Sequence, residues 1–246
     1  MLGIDAGVVD AVLADWKTAT VDDRLRSALR LLEAMTLRPH EIDSKLIAEL
    51  EAAGLSYAEL EEIATVAFQF NFINRIADAV DFQMPDANQT ARQARVLNLL
   101  GRVVTGGKRP VPSWTIGNDG LVRPAELNAA REQLLSNSGS VDPELRNSIE
   151  ATAAALWNAR RPSHEIPEVL EEYVKPLTLH AYRIYDGLVA NLTAAGYSEQ
   201  ELFEITLPGA FGAAVAAQEQ LFKLLYGGDE NRTPECSEPT ADSSLR

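Results

Sequence analysis

Residues 36–63 read TLRPHEIDSKLIAELEAAGLSYAELEEI, and residues 178–205 read TLHAYRIYDGLVANLTAAGYSEQELFEI. Laid over one another without a gap, at an offset of 142 (178 − 36), the two windows agree at 14 of 28 positions. The agreements have physical content. Ile42, Leu46 and Leu50, matched by Ile184, Leu188 and Leu192, are spaced by four, as the buried stripe of a helix is. Gly54 and Gly196 stand where a helix must end. Ser56 with Glu59, and Ser198 with Glu201, have the capping-box spacing: the serine oxygen takes the third amide of the helix and the glutamate returns to the amide of the cap. What occurs twice is a helix–turn–helix unit, and it predicts an all-α fold.

Working outward, the pattern stays helical. Between Val21 and Met35 the apolar residues Leu25, Ala28, Leu29, Leu32 and Met35 mark one predicted buried face, with Asp22 and Asp23 at its N-terminal end. A helix is predicted over Glu41–Ala52, and another from Ser56 to about Val80. No pair of period-2 segments flanks a turn, so no hairpin is expected. VDDRLR at 21–26 is similar to VDPELR at 141–146, but at an offset of 120, so the second copy carries about 22 extra residues. The expected organisation is an N-terminal helix in 1–20, a first repeat in 21–109, a loop rich in Pro and Gly at 110–120, a second repeat in 121–226, and a disordered tail in 227–246. Two such halves in one chain are expected to form an internal pseudo-dimer.

Composition narrows the function. Acidic residues number 36 against 22 basic, a net charge of −14, which repels nucleic-acid backbones and anionic lipid; neither partner is expected. A 46% hydrophobic content excludes wholesale disorder. The single cysteine, Cys236, excludes a disulfide framework, a cysteine-rich zinc site and an intramolecular dithiol; a disulfide between chains through Cys236 would be incidental. His40, His164 and His180 lack metal-ligand spacing, so no metal and no cofactor is expected. Gly106-Gly107-Lys108 is not a phosphate loop, and no G-x-S-x-G occurs. The N-terminus has no basic, apolar signal pattern, and the longest apolar or small run, Leu207–Ala217, has 11 residues, too few to span a bilayer; a cytoplasmic protein is expected. One stretch breaks the acidic trend. Residues 87–118 contain no acid, and they carry Arg92, Arg95, Arg102, Lys108 and Arg109, read as an inter-half connector or an anion-binding patch.

The unit AAGLSYAELEEI followed by a long helix ending FNFINRIADA (70–79) resembles the alkylhydroperoxidase AhpD-like or carboxymuconolactone decarboxylase family. AYRIYD with AAGYSEQELFEI resembles a diverged second copy. The resemblance implies a helical, oligomeric fold and covers most of residues 21–226. Members with peroxidase activity carry a Cys-x-x-Cys and a His ahead of the turn glycine and a Glu upstream. At those places this chain has Pro39, Ile42, Leu46 and about Ser27, and in the second copy Ala181, Ile184, Leu188 and Val169. A dithiol peroxidase needs a thiolate and a resolving thiol, so the resemblance is not expected to extend to peroxidase activity.

Two constellations remain. Asn71, Asn74 and Arg75 share one helical face, and a planar guanidinium suits a small anionic ligand; equally, they form a network joining helices or subunits, with Asp78 as the arginine's partner. His180, Tyr182, Tyr185 and Asp186 supply an acid or base and a phenol for catalysis, although His180 and Tyr182 are not expected on one face and Asp186 also suits a helix cap. The phenylalanines Phe68, Phe70, Phe72, Phe203, Phe211 and Phe222 are expected in core and subunit interface. The leading expectation is a family member without redox cysteines that binds a small molecule or acts through homo-oligomeric assembly, without peroxidase activity and not primarily an enzyme. The alternatives are a metal-free decarboxylase or isomerase acting on a small carboxylate, with His180, Tyr182 and Asp186 as the catalytic group, and an antioxidant relative of the peroxidases.

Overall fold

Asp22 accepts the amide of Leu25 at 2.7 Å and so starts the first long helix of a computed structural model that describes residues 6–80, 121, 122, 124–136 and 138–227. Among the described residues the secondary structure is wholly helical: α1 (Ala6–Asp15), α2 (Asp23–Leu37), α3 (Ser44–Ala52), α4 (Tyr57–Ala79), α5 (Pro124–Ser136), α6 (Pro143–Trp157), α7 (Glu168–Leu179), α8 (Asp186–Ala194) and α9 (Glu199–Tyr226), with 3-10 turns at Pro39–Glu41 and Ala181–Arg183. The expected loop at 110–120, the basic stretch between 87 and 118, Trp114 and Cys236 lie outside the described residues, as does the expected tail beyond Gly227.

Two expectations about α2 and α3 need correction. The buried face of α2 is Leu31, Ala34 and Met35, while Leu25 is 42% exposed and Ala28, Leu29 and Leu32 are half-buried. The first turns of α2 are held by Arg26, which donates to the carbonyls of Lys17 at 2.6 Å, Ala19 at 3.1 Å and Val21 at 3.2 Å, and Leu25 stays outside the apolar core. The helix expected from Glu41 begins at Ser44. Arg38 leaves helical geometry (φ −147°, ψ 57°), Pro39 opens a 3-10 turn, and Asp43 caps α3 by accepting from Leu46 N at 2.8 Å.

The same succession follows 142 residues later. α7 ends at Leu179 as α2 does at Leu37, His180 (φ −153°, ψ 58°) repeats the backbone of Arg38, and the 3-10 turns and both following helices start in step. Gly54 and Gly196 take the left-handed backbone, φ +87° and +98°, that closes the turn and that a side chain would strain. Both capping boxes are present: Ser56 N donates to Glu59 Oε2 at 2.9 Å and Ser198 N to Glu201 Oε2 at 2.8 Å.

Two apolar cores result. One joins α2, α3, α4 and α5 to the C-terminal half of α9 through Leu31, Met35, Leu60, Phe68, Phe211 and Phe222; the other joins α6, α7 and α8 to the N-terminal half of α9 through Ile149, Leu170, Leu177, Leu192 and Ile205. α9 therefore belongs to both. It crosses α6 at Gly212, where a Cβ would collide with the carbonyl oxygen of Glu150, so only glycine permits the crossing. The long helices also reach across: α4 packs on the 3-10 turn Ala181–Arg183, and α9 on Pro39–Glu41. Of the phenylalanines, Phe68, Phe72 and Phe211 form one cluster with centroids 5.8–6.1 Å apart, while Phe70 and Phe203 are exposed. No helix among the described residues is long and apolar enough to cross a membrane.

Candidate functional site

The positions where the AhpD-like resemblance calls for redox residues are packed with carbon. Pro39, Ile42 and Leu46 are buried, and Ser27 is half-buried. In the second unit Ala181 is buried and Ile184, Leu188 and Val169 are half-buried against the second core. These side chains offer no thiolate, base or proton relay.

Asn71, Asn74 and Arg75 do not converge on open space. Arg75 is buried and donates from Nε and Nη2 to the carbonyl of Thr178 at 3.2 and 3.1 Å, and from Nη1 to the Asn71 carbonyl at 2.7 Å and to Asn71 Oδ1 at 3.3 Å. Its guanidinium lies over the ring of Trp157, 4.3 Å from the centroid. Burial lowers its pKa to about 10, opposed by the charge of Asp78. Asn74 and Asp78 are exposed. Arg75 thus ties α4 to the end of α7, with its donors directed at backbone and Asn71 rather than at a ligand.

The aromatic candidates of the second unit are on the surface. His180 and Tyr182 do approach, with ring centroids 6.0 Å apart, because the 3-10 turn folds the chain back where a helix would have separated them; this corrects the expectation that they lie apart. Tyr182 is 67% exposed and carries Arg183 5.5 Å from its centroid. Tyr185 is 63% exposed, and its ring occupies the space where a Cβ on Gly187 would stand. Asp186 is the first residue of α8 rather than its cap; the cap position holds Tyr185, which makes no side-chain cap bond.

The largest described cavity, about 990 Å³, lies beside them, between α8 and α9. Tyr173 and Thr206, both buried, join at 2.7 Å at its base. Thr206 Oγ1 donates its proton to Leu202 O at 2.7 Å, so Tyr173 is the donor in that pair. Burial raises the Tyr173 phenol above its ordinary range, which keeps it neutral. Val189, Ala190, Leu202 and Phe203 form the walls, and Ala79 and Val80 from the end of α4 close one side. Asp186 and Glu199 are its exposed acids. Sequence reading placed only Asp186 here. Tyr173 and Thr206 are 33 residues apart, and no local spacing marks them as a pair.

A second space is lined by cations that are engaged. Around a smaller cleft of about 440 Å³ beside α2, Lys17 and Arg38 pair with Glu33, Arg30 pairs with Glu49, and Arg26 serves the carbonyls of the α1–α2 connection. No group of acids, histidines or cysteines suited to a metal occurs among the described residues. Comparisons with family models, with curated proteins and with solved structures find no match to this chain.

Proposed function

We propose that the chain is a tandem, two-unit AhpD-like protein that performs no dithiol chemistry and works by holding a small molecule in the groove between α8 and α9. The observation that carries this reading is the contrast between two kinds of place. The positions where the family keeps its redox residues are filled by Pro39, Ile42 and Leu46 and by Ala181, Ile184 and Leu188. The one large described space is an apolar groove with a hydroxyl pair at its base, of a size suited to a small organic molecule. Of residues 180–186, Asp186 lines that groove, whereas His180, Tyr182 and Tyr185 do not, which favours binding over the decarboxylase or isomerase alternative.

Native mass spectrometry of freshly purified protein tests the reading. A retained small molecule that is lost in Ala190→Phe, which fills the groove, supports it. Robust peroxidase turnover surviving Cys236→Ser would contradict it. A second reading, assembly, is favoured by Val66, Phe70 and Ile73, exposed at helical spacing on one side of α4 with no charged residue between Glu62 and Asp78 other than buried Arg75. Sedimentation of Phe70→Ser/Ile73→Ser beside the parent separates that reading from binding: assembly requires the parent to be larger.

A further inference from the structure

Resting on the binding reading, we infer that the groove takes a small molecule with an aromatic or similarly bulky apolar body and a cationic amine. The body is inferred from the first unit. Residues at the same offset there, Ile47 for Val189, Leu60 for Leu202 and Ala64 for Thr206, are buried in a core that includes Phe222, Leu225 and Tyr226 of the last turns of α9. Glu61, which stands where the second unit has Phe203, accepts a hydrogen bond from the Tyr226 hydroxyl. A phenol on the last turn of a long helix thus reaches the first-unit residue that corresponds to Phe203 of the groove wall. α4 stops earlier than α9 on this scale: its last residue, Ala79, matches Leu221, the match to Phe222 is half-exposed Val80, and the matches to Leu225 and Tyr226 fall at 83 and 84, outside the described residues. The open groove has room and lining for what Tyr226 supplies on the other side.

The charge is inferred from the lining. Asp186 and Glu199 are its ionisable carboxylates, and among its described residues there is no lysine, arginine or histidine. A chain with a net charge of −14 adds to the field that attracts a cation and repels a carboxylate. The small anionic ligand expected from Arg75 is not what this groove suits.

Three probes of one body test the inference: tyramine, 4-ethylphenol and 3-(4-hydroxyphenyl)propionate, cationic, neutral and anionic at neutral pH, titrated by calorimetry and by ligand-observed NMR. The expected order is tyramine, then 4-ethylphenol, then the propionate, with steps of about fivefold, the size of an exposed ion pair. Ala190→Phe abolishes binding of all three. Asp186→Asn/Glu199→Gln removes the preference for tyramine over 4-ethylphenol. Equal binding of the three, or tightest binding of the propionate, overturns the ligand class while leaving the groove as a site. Absence of binding by all three at millimolar concentration to folded protein overturns the groove as a site and the binding reading with it. Binding that emerges only after Phe82→Ser/Met84→Ser assigns the groove to the chain itself and overturns the inference.

Discussion

The two helix–turn–helix units agree to the residue in their 3-10 turns, in α3 and α8, and in where α4 and α9 start, and they differ in what closes them. In the first, Asp43 caps α3, Ile42, Leu46, Leu50 and Leu55 are all buried, and the end of α9 belongs to the same core. In the second, the cap position holds Tyr185 without a cap bond, Ile184, Leu188 and Tyr197 are only half-buried, and Leu192 alone of the four is fully covered. Backbone geometry set by a turn glycine and a capping box is therefore retained where tertiary burial is not. Local signals fix the path of the chain, and the packing that could be built on that path is optional. The second unit gives up burial, and the space it leaves is the candidate site.

Removing the end of α9 from the first core tests that contrast most severely. Tyr226→Ala is expected to cost about 4 kcal/mol in urea unfolding, because a buried aromatic is removed and Glu61 loses its hydroxyl partner. Tyr226→Phe, which keeps the ring, is expected to cost about 2 kcal/mol or less. Arg75→Ala, which cuts the tie from the first unit to Thr178 of the second, is expected to cost about 3 kcal/mol, with increased amide exchange at the end of α7 as its local signature.

The matched leucines sharpen the comparison. Leu46→Ala is expected to cost about 3 kcal/mol and Leu188→Ala about half that, since only the first is fully enclosed. Equal costs would mean that the second unit is as closed as the first. Tyr185→Asp should give the second unit the cap that Asp43 gives the first and raise stability by about 1 kcal/mol in thermal melts.

The smallest effect is a pH response confined to the second unit's end of α9. Glu201 is held below the usual carboxylate range by the Ser198 amide and hydroxyl, and Glu204 by the Val141 amide, with Gln200 and the Ser140 amide adding to it. A depressed carboxylate contributes stability above its unfolded pKa, about 4.3 for Glu, and loses it as pH falls through the lower folded value. Amide exchange at Ser198 and Val141 should therefore accelerate, relative to the helix interiors, as pH is lowered below about 4. Unchanged relative protection across that range would show that these bonds do not hold the ends.

What was legible in the sequence was local. Gly54, Ser56 and Glu59, and their partners 142 residues on, announced the turns and caps, and the spacing of Ile42, Leu46 and Leu50 announced a buried stripe. The α2 stripe misled because periodicity places residues on a face without saying how far along the helix the neighbour extends, and Leu25 lies beyond it. The turn that brings His180 to Tyr182 was missed because a 3-10 turn leaves the helical wheel. The groove was illegible for a different reason. It depends on the pairing of Tyr173 with Thr206 and on α4 ending a turn short of its counterpart, and both are properties of elements distant in sequence. Arg75 was visible as a candidate, but its acceptor, Thr178 O, is 103 residues away.

The placement of α9 has a thermodynamic consequence. One helix supplies apolar residues to both cores, and its tightest crossing, Gly212 against Glu150, lies along its middle. Melting either core strips packing from that helix and withdraws its support from the other. The chain is therefore built to lose its two halves in one cooperative event, and a damaging substitution in the fully packed half is felt by the half that carries the groove.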